Sequence, residues 1–559
     1  MPNHLTDIHC HVSFKPHYNF DYRPNINIWD PVPEDTALFN SLSGQIQTFV
    51  RDTIRNSQSN LLELKRGNIR TVFFVLHPME RGWLYRRRQS GQPVREALLR
   101  WVLDSANIPT LAASVSGLPK DRIVRMVGEE GGDVAINYYL NDTFHEYEFI
   151  RDSERQTGPG GLKFRLVSTY QQYRDVIDNH PDMIAVILTI EGGHALMQLE
   201  RASLYRKNYQ DLTAGELNYI RNKFRLNIRK IKGTNTYHGF DKAHTPFFIT
   251  LAHFYNNFLC GHAKSYQEGE GAYPGMDTYL DQEQGMNGGI TPMGREVIGL
   301  LLHKSAAERR VLIDVKHMSL AARQEYYALL DDFKQRLNIN IPVIYSHGGV
   351  TGYSTNMWRG SDHNAHNSAA YLSHWSINLY DEDIRKIIES DGLIGLAPHE
   401  GRMPGGKALA EFQEWKQIIG FDDHRKQNAI LGLRQSYMKM LLTNIYHIAS
   451  VIGDASAYDH ICLGSDYDGI MNPFDYYERS GDLKQMMDDL QSMMENPPAT
   501  VVKYSFNREL TYDQNEQRAL QFGLAPATII EKIGQANVDS FMRKYFTSSY
   551  LGGPDFDRV

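Results

Sequence analysis

The stretch MIAVILTIEGG, residues 183–193, decides how this chain folds. It is apolar almost without interruption, rich in β-branched residues, and ends on a carboxylate, Glu191, followed by two glycines. A strand with one wet face alternates apolar and polar side chains. This run does not, which predicts a parallel strand buried on both faces. Seven more runs of the same kind recur: LTDIHCHV (5–12), TVFFVLH (71–77), FFITLAHFY (247–255), VLIDVKHMS (311–319), PVIYSHGG (342–349), LIGLAPHE (393–400) and HICLGSDYDG (460–469).

Amphipathic helical segments lie between several of these runs. In TPMGREVIGLLLHKSAAERR (291–310), Thr291 suits the N-cap and Pro292 the first helical position; LYDEDIRKIIESDG (379–392) stops at Gly392. Eight strands separated by helices predict an α/β fold, a (β/α)8 TIM-like barrel. The spacing is uneven, so long insertions are expected after strands 2 and 3, at about 78–181 and 197–246, within a single domain spanning residues 1–559. The first insertion contains DVAINYYLNDTFHEYEFIRD (133–152), aromatic and partly alternating, which reads as a small hairpin on the barrel rim. The second contains ELNYIRNKFRLNIRKIKG (216–233), helical and basic. The stretch APATIIEKIGQANVDSFMRKYF (525–546) has helical periodicity and is expected to pack across the barrel. No internal repeat, low-complexity tract or Pro/Ser-rich linker interrupts the chain.

Composition narrows the function classes. At 559 residues, 42% hydrophobic and 22% charged, the chain has ordinary globular proportions, and a net charge of −7 gives no reason to expect nucleic acid or anionic membrane as partner. The one basic cluster, YRRRQSGQPVR (85–95), reads as a solvated surface loop. Three cysteines, Cys10, Cys260 and Cys462, lie far apart with no C-x-x-C spacing, which excludes a disulfide framework. Cys10 and Cys462 read as small core residues. The start, MPNHLTDIHCHV, lacks the charged and apolar regions of a secretory signal, and no apolar run approaches the ~18–20 residues of a membrane span. A cytoplasmic protein with no membrane span is the expectation.

Most of the eight runs carry a His, Glu or Asp at or near the C-terminal end, the end where barrel enzymes place their chemistry. Strand ends that merely reach solvent would deliver Ser, Asn, Lys and Gly as readily. In chain order the candidates are His9, His11, Glu191, His253, His317, His347 and Asp466. His9 and His11 are two apart, so on a strand they leave the same face while Cys10 points away. Imidazole and carboxylate in this mixture suit borderline divalent metals, Zn²⁺ above all. Glu191, central in the order, is the natural bridge between two ions that would hold a hydroxide and polarise a carbonyl.

These residues carry a family resemblance. TIEGGHAL (189–196), ITLAHFYNN (249–257), GGITPMGREVI (288–298), LIDVKHMS (312–319), PVIYSHGG (342–349), HICLGSDYDG (460–469) and IEKIGQANVDSFMRKYF (530–546) arrive in the order of the membrane (renal-type) dipeptidases. The chain resembles that family, peptidase family M19, within the amidohydrolase-like metal-dependent hydrolases. The resemblance implies two divalent ions, with Glu191 bridging, His317 and His347 completing one site, and His9, His11 and Asp466 holding the other. It implies that Asp466 moves the proton of the bridging water, and that His253 contacts substrate and stabilises the oxyanion. Relatives are often dimers, so a homodimer is expected by resemblance alone.

Two departures stand out. The family's first-strand motif is typically H-x-D, whereas His9 and His11 form H-x-H, a less negative donor set. The family also grips the substrate carboxylate with an arginine before the helix after strand six; SHWSINLYDED (373–383) has none, and the preceding loop (349–371) is enlarged. Arg359 in that loop is the candidate substitute.

Other polar residues read more plainly. His194 is assigned a loop or supporting role, and Asp468 a turn or supporting role. Lys316, neighbouring His317 on a strand, should face the helices. His363, His366 and His374 in the enlarged loop read as solvated. The function expected is hydrolysis of an amide bond in a dipeptide or similar small substrate through a metal-bridging hydroxide, with Asp466, His253 and Glu191 as the catalytic residues. The competing readings are another amidohydrolase-type reaction (on a lactone, ester, N-acyl amino acid or phosphoester, or a deamination), or a non-catalytic binding protein of the same fold.

Overall fold

The computed structural model describes residues 2–33, 35, 38, 40, 57–84, 108–127, 134–265, 282–358, 362, 369–420, 425–503 and 510–556. All eight apolar runs form strands: β1 (Leu5–Cys10), β2 (Ile69–Leu76), β3 (Met183–Glu191), β4 (Phe248–Thr250), β5 (Leu312–Asp314), β6 (Ile344–Tyr345), β7 (Leu393–Leu396) and β8 (Ile461–Leu463). They pair in parallel in the order of the chain, and β8 returns to β1 through Asp7 and Leu463, closing a barrel. The fold is an α/β TIM-like barrel. β1 is buried throughout and β3 everywhere past its first residue, Met183, which is why their sequences show no alternation.

A ninth strand was not legible. Lys163–Leu166 lies parallel to the first half of β3, with Lys163 opposite Met183 and Leu166 opposite Val186. The same edge of β3 meets β4 only at its end, where Ile190 and Glu191 oppose Ile249 and Thr250. Two strands therefore share one edge of β3.

Helices wrap the barrel. Thr291 caps Pro292–Leu302 by accepting from the Gly294 N–H, as its position predicts. The helix Asp381–Glu389 stops earlier than Gly392: Asp391 takes the left-handed turn at φ 61°, and Gly392 instead makes room for the Val343 carbonyl, which a Cβ would meet at 1.9 Å. The basic segment at 216–233 is helical, as Ala214–Ile231. The expected hairpin at 133–152 is not formed. Ile136–Asn137 pairs with Gln198–Leu199, and the chain then turns into a π-helix, Tyr139–Phe144, and an α-helix, His145–Glu154. Its aromatics, Phe144 and Tyr147, follow a helical spacing and pack inward.

The C-terminal segment closes the barrel at the start of its strands. Gly534 lies against Leu5 at the beginning of β1, and Asn537 donates 2.7 Å hydrogen bonds to the carbonyls of Tyr458 and Ile461 beside β8. The opposite mouth is left for chemistry. The basic run 85–95 lies outside the described residues. Among the described residues, no helix is long and apolar enough to cross a membrane.

Candidate metal centre

Seven of the eight strands deliver a polar residue to one rim. His9 lies in β1 with His11 just beyond it, His77 directly follows β2, and Glu191 ends β3. His253, His317, His347 and Asp466 follow β4, β5, β6 and β8 by two or three residues. All of them are buried.

Glu191 is the centre. Its Oε1 lies 3.4 Å from His9 Nε2, 3.3 Å from His317 Nε2 and 3.7 Å from His347 Nε2. Its Oε2 lies 3.2 Å from His11 Nε2, 3.4 Å from His77 Nδ1 and 3.6 Å from His253 Nε2. Asp466 adds Oδ1 at 3.2 Å from His11 and 3.8 Å from His9, and Oδ2 at 3.7 Å from His347. Asp466 and His317 sit at φ 60° and 65°, backbone conformations that side chains other than glycine rarely adopt. Gly469 must lack a side chain here, because a Cβ would stand 2.0 Å from Asp466 Oδ1 and 2.8 Å from the His11 ring.

The surroundings fix these groups. Asp7 accepts from the His9 N–H at 3.1 Å and from the Ser465 N–H and hydroxyl at 2.9 and 2.6 Å, tying β1 to the loop that carries Asp466. Asp314 does the same between β5 and β6, taking the Lys316 and Ser346 N–H groups at 3.0 and 3.1 Å and the Thr250 hydroxyl at 2.6 Å. The Ser346 hydroxyl pairs with His347 Nδ1 at 2.9 Å, leaving Nε2 toward Glu191.

Do these residues fit a metal? The ring nitrogens of His9, His11 and His317, His347 Nε2, His77 Nδ1 and Glu191 Oε1 are buried without a hydrogen bond of good geometry. Burying that many unsatisfied polar atoms is costly unless something else satisfies them. Ligand atoms about 2.1 Å from a tetrahedral ion stand roughly 3.4 Å from one another, which is the spacing observed around Glu191. The donor set fits a divalent ion, and the groups that could hold one include His9, His11, Glu191 and Asp466, and Glu191, His317 and His347.

Electrostatics agree. Burial opposes charge on Glu191, but His253, His9, His11 and His317 together hold its carboxyl well below the usual range. Burial first, then neighbouring basic side chains (His253 beside His317, His9 beside His347), keep His317 and His347 far below the ordinary imidazole value and therefore neutral, the form that binds metal. His11 is the exception: burial lowers it, yet its contacts with Asp466 and Glu191 push it up to about 10.

Three further residues stand at or beside this centre. His77 ends the run TVFFVLH, so the rule that selected the other strand ends also points to it. Glu80, fully buried, pairs with His253 Nδ1 at 2.6 Å and lies 3.7 Å from His194 Nδ1. Arg402, in the loop after β7, has its guanidinium 5.1 Å from the Phe254 ring, which in turn lies 5.1 Å from the His317 ring.

Other expectations meet mixed outcomes. Lys316 does not face the helices, because β5 ends at Asp314 and the left-handed turn at His317 breaks strand alternation. It is buried with its amine 3.3 Å from the Tyr345 hydroxyl; burial and then Arg402 hold its pKa well below normal. His194 is buried and bonds the Pro78 carbonyl at 2.8 Å. Asp468 is a turn anchor, taking the Gln58 and Ser59 N–H groups and pairing with Lys15 at 2.7 Å. Cys10 and Cys462 are buried core residues. His374 is buried against Tyr353 rather than solvated. Arg359, His363 and His366 lie outside the described residues.

Residues 364–499 match the family model for membrane dipeptidases, peptidase family M19. That stretch is similar to the membrane dipeptidases. The chain also aligns with solved structures over most of its length. One is the dipeptidase AC, an M19 metallopeptidase, at 13% identity and TM-score 0.42, covering 97% of this chain and 98% of that one. A second is a metallopeptidase from Rhodobacter sphaeroides liganded with a phosphinate mimic of L-Ala-D-Ala, at 14% identity and TM-score 0.46, covering 97% and 98%. A third is the probable dipeptidase PvdM from Pseudomonas aeruginosa, at 11% identity and TM-score 0.37, covering 87% and 88%. No curated protein matches the chain in sequence.

Proposed function

We propose that the chain is a dinuclear, zinc-dependent hydrolase that cleaves the amide bond of a dipeptide or similar small substrate. The observation that carries this reading is the shell of six imidazole nitrogens, 3.2–3.7 Å from the two oxygens of one buried carboxylate, Glu191. His9, His11, Asp466 and Glu191 would hold one ion, and Glu191, His317 and His347 the other. Such a pair supplies a water of lowered pKa and a Lewis acid for the scissile carbonyl.

The remaining chemistry belongs to the chain. Glu191, kept ionised, fixes the ligand rings about itself. His253 donates Nδ1–H to Glu80, which aims Nε2 at the centre, where a protonated Nε2 can meet the oxygen on which negative charge develops. Asp466, in the same cluster, accepts the proton of the attacking water and returns it to the leaving amine. A substrate carboxylate would be met by a guanidinium, with Arg402 and Arg359 as the candidates. We also read residues 1–559 as one barrel domain in which about 78–181 and 197–246 are insertions; the pairing of Lys163–Leu166 with β3 supports treating the first as part of that domain.

The test is turnover of a mixed dipeptide library by the Zn²⁺-loaded protein, run beside N-acyl amino acids, esters and lactones. Release of free amino acids from dipeptides supports the proposal. Turnover confined to esters or lactones reassigns the reaction, and no turnover with no bound metal favours a binding protein.

A further inference from the structure

The two ion positions leave one side of Glu191 unused. Its Oε2 faces His77 Nδ1 at 3.4 Å and His253 Nε2 at 3.6 Å, and neither imidazole belongs to the ligand sets above. Both rings are buried, their centroids are 4.7 Å apart, and His77 Nδ1 has no hydrogen bond of good geometry.

The neighbouring cluster shows what a mere hydrogen-bonded arrangement looks like. Glu80 and His253 Nδ1 stand 2.6 Å apart, too close for an ion between them. The His77, His253 and Glu191 atoms stand at the wider spacing that separates ligands of one ion. His253 also has the support typical of a metal-binding imidazole, a carboxylate on its other ring nitrogen. His77 is fixed from behind, since Glu146 takes its backbone N–H at 2.9 Å and the Ser13 hydroxyl at 2.7 Å.

We propose that His77, His253 and Glu191 Oε2 form a third divalent-cation position, and that filling it withdraws His253 from substrate and inhibits hydrolysis. The proposal rests on the two-ion reading above. This position has two imidazoles and one carboxylate oxygen, fewer donors than the set built on His9, His11, Asp466 and Glu191 and as many as the set of Glu191, His317 and His347, and its carboxylate is one already shared between two ions. It therefore fills last, at free metal at least about tenfold higher. One nitrogen cannot hold a cation and donate to an oxyanion together, so activity rises as two ions bind and falls as the third does.

The experiment is equilibrium dialysis of the full chain against rising free Zn²⁺, with elemental analysis and activity at each point, for wild type and His77→Gln. Three equivalents are expected in wild type with a falling activity limb, and two without that limb in the variant. Saturation of wild type at two equivalents overturns the third position while leaving the two-ion reading intact; failure to bind any metal removes both. A third equivalent that persists in the variant is bound elsewhere and also overturns it. Should the variant not fold, an anomalous difference map of zinc-soaked wild-type crystals decides: a peak within bonding reach of His77 Nδ1 and His253 Nε2 is expected, and its absence at saturation contradicts the proposal.

Discussion

Glu80 Oε2 lies 2.6 Å from His253 Nδ1, deep in the barrel mouth. The same carboxylate takes the N–H groups of Phe254 and Tyr255 at 3.2 and 3.1 Å, so it fixes both the ring and the loop that carries it. Burial opposes its charge, but His253 and His194 keep its pKa below the ordinary value. Glu80→Gln is expected to lower kcat by about 10- to 100-fold with little change in KM, because His253 loses its orientation while substrate contacts remain. Steady-state kinetics on a variant with unchanged circular dichroism check this; unchanged kcat contradicts it.

Asp466 separates metal binding from proton transfer. Asp466→Asn keeps an oxygen facing His11 and removes the base, so metal content is expected to hold while turnover falls by about 10²- to 10⁴-fold. Elemental analysis and turnover on one sample provide the check. Loss of an ion in parallel with activity would mean that Asp466 acts mainly as a ligand.

The two arginines make opposite forecasts. If Arg402 holds the substrate carboxylate, Arg402→Met raises KM by about 10- to 100-fold for free dipeptides and leaves C-terminally amidated ones unaffected. Arg359→Met would then change neither. The reverse pattern assigns the contact to Arg359.

Glu400 gives the fold a pH dependence of its own. Burial raises its carboxyl from 4.5 to about 7, even though Lys416 lies 2.7 Å away. The folded state thus holds a proton that the unfolded chain has already released. This contribution is complete below pH 4.5 and is lost as pH rises through 7, on the order of 3 kcal/mol. Glu400→Gln is expected to gain stability relative to wild type across that interval, measured by denaturant unfolding at pH 4.5, 6 and 7.5. A constant difference between the two proteins would contradict it.

The eight barrel strands were legible because burial on both faces leaves an apolar run that few other structures produce. Lys163–Leu166 escaped notice: KFRL is short and half charged, and its first residue is exposed. The segment 133–152 misled because its crowded aromatics suit a strand pattern almost as well as the helix they form. Strand alternation would turn Lys316 toward the helices, but alternation stops before His317, whose left-handed backbone nothing in the sequence announces. The ligand candidates were readable from strand ends, and His77 was readable by the same rule. Glu80 and Arg402 were not, since they approach the centre, through His253 and Phe254 respectively, from loops whose path only the folded chain defines.

The central claim is that one carboxylate, Glu191, joins two ions. An anomalous difference map recorded on either side of the zinc absorption edge tests it most directly. The account predicts peaks on both sides of Glu191, one among His9, His11 and Asp466 and the other between His317 and His347. A single peak, or ions bound away from Glu191, would contradict it.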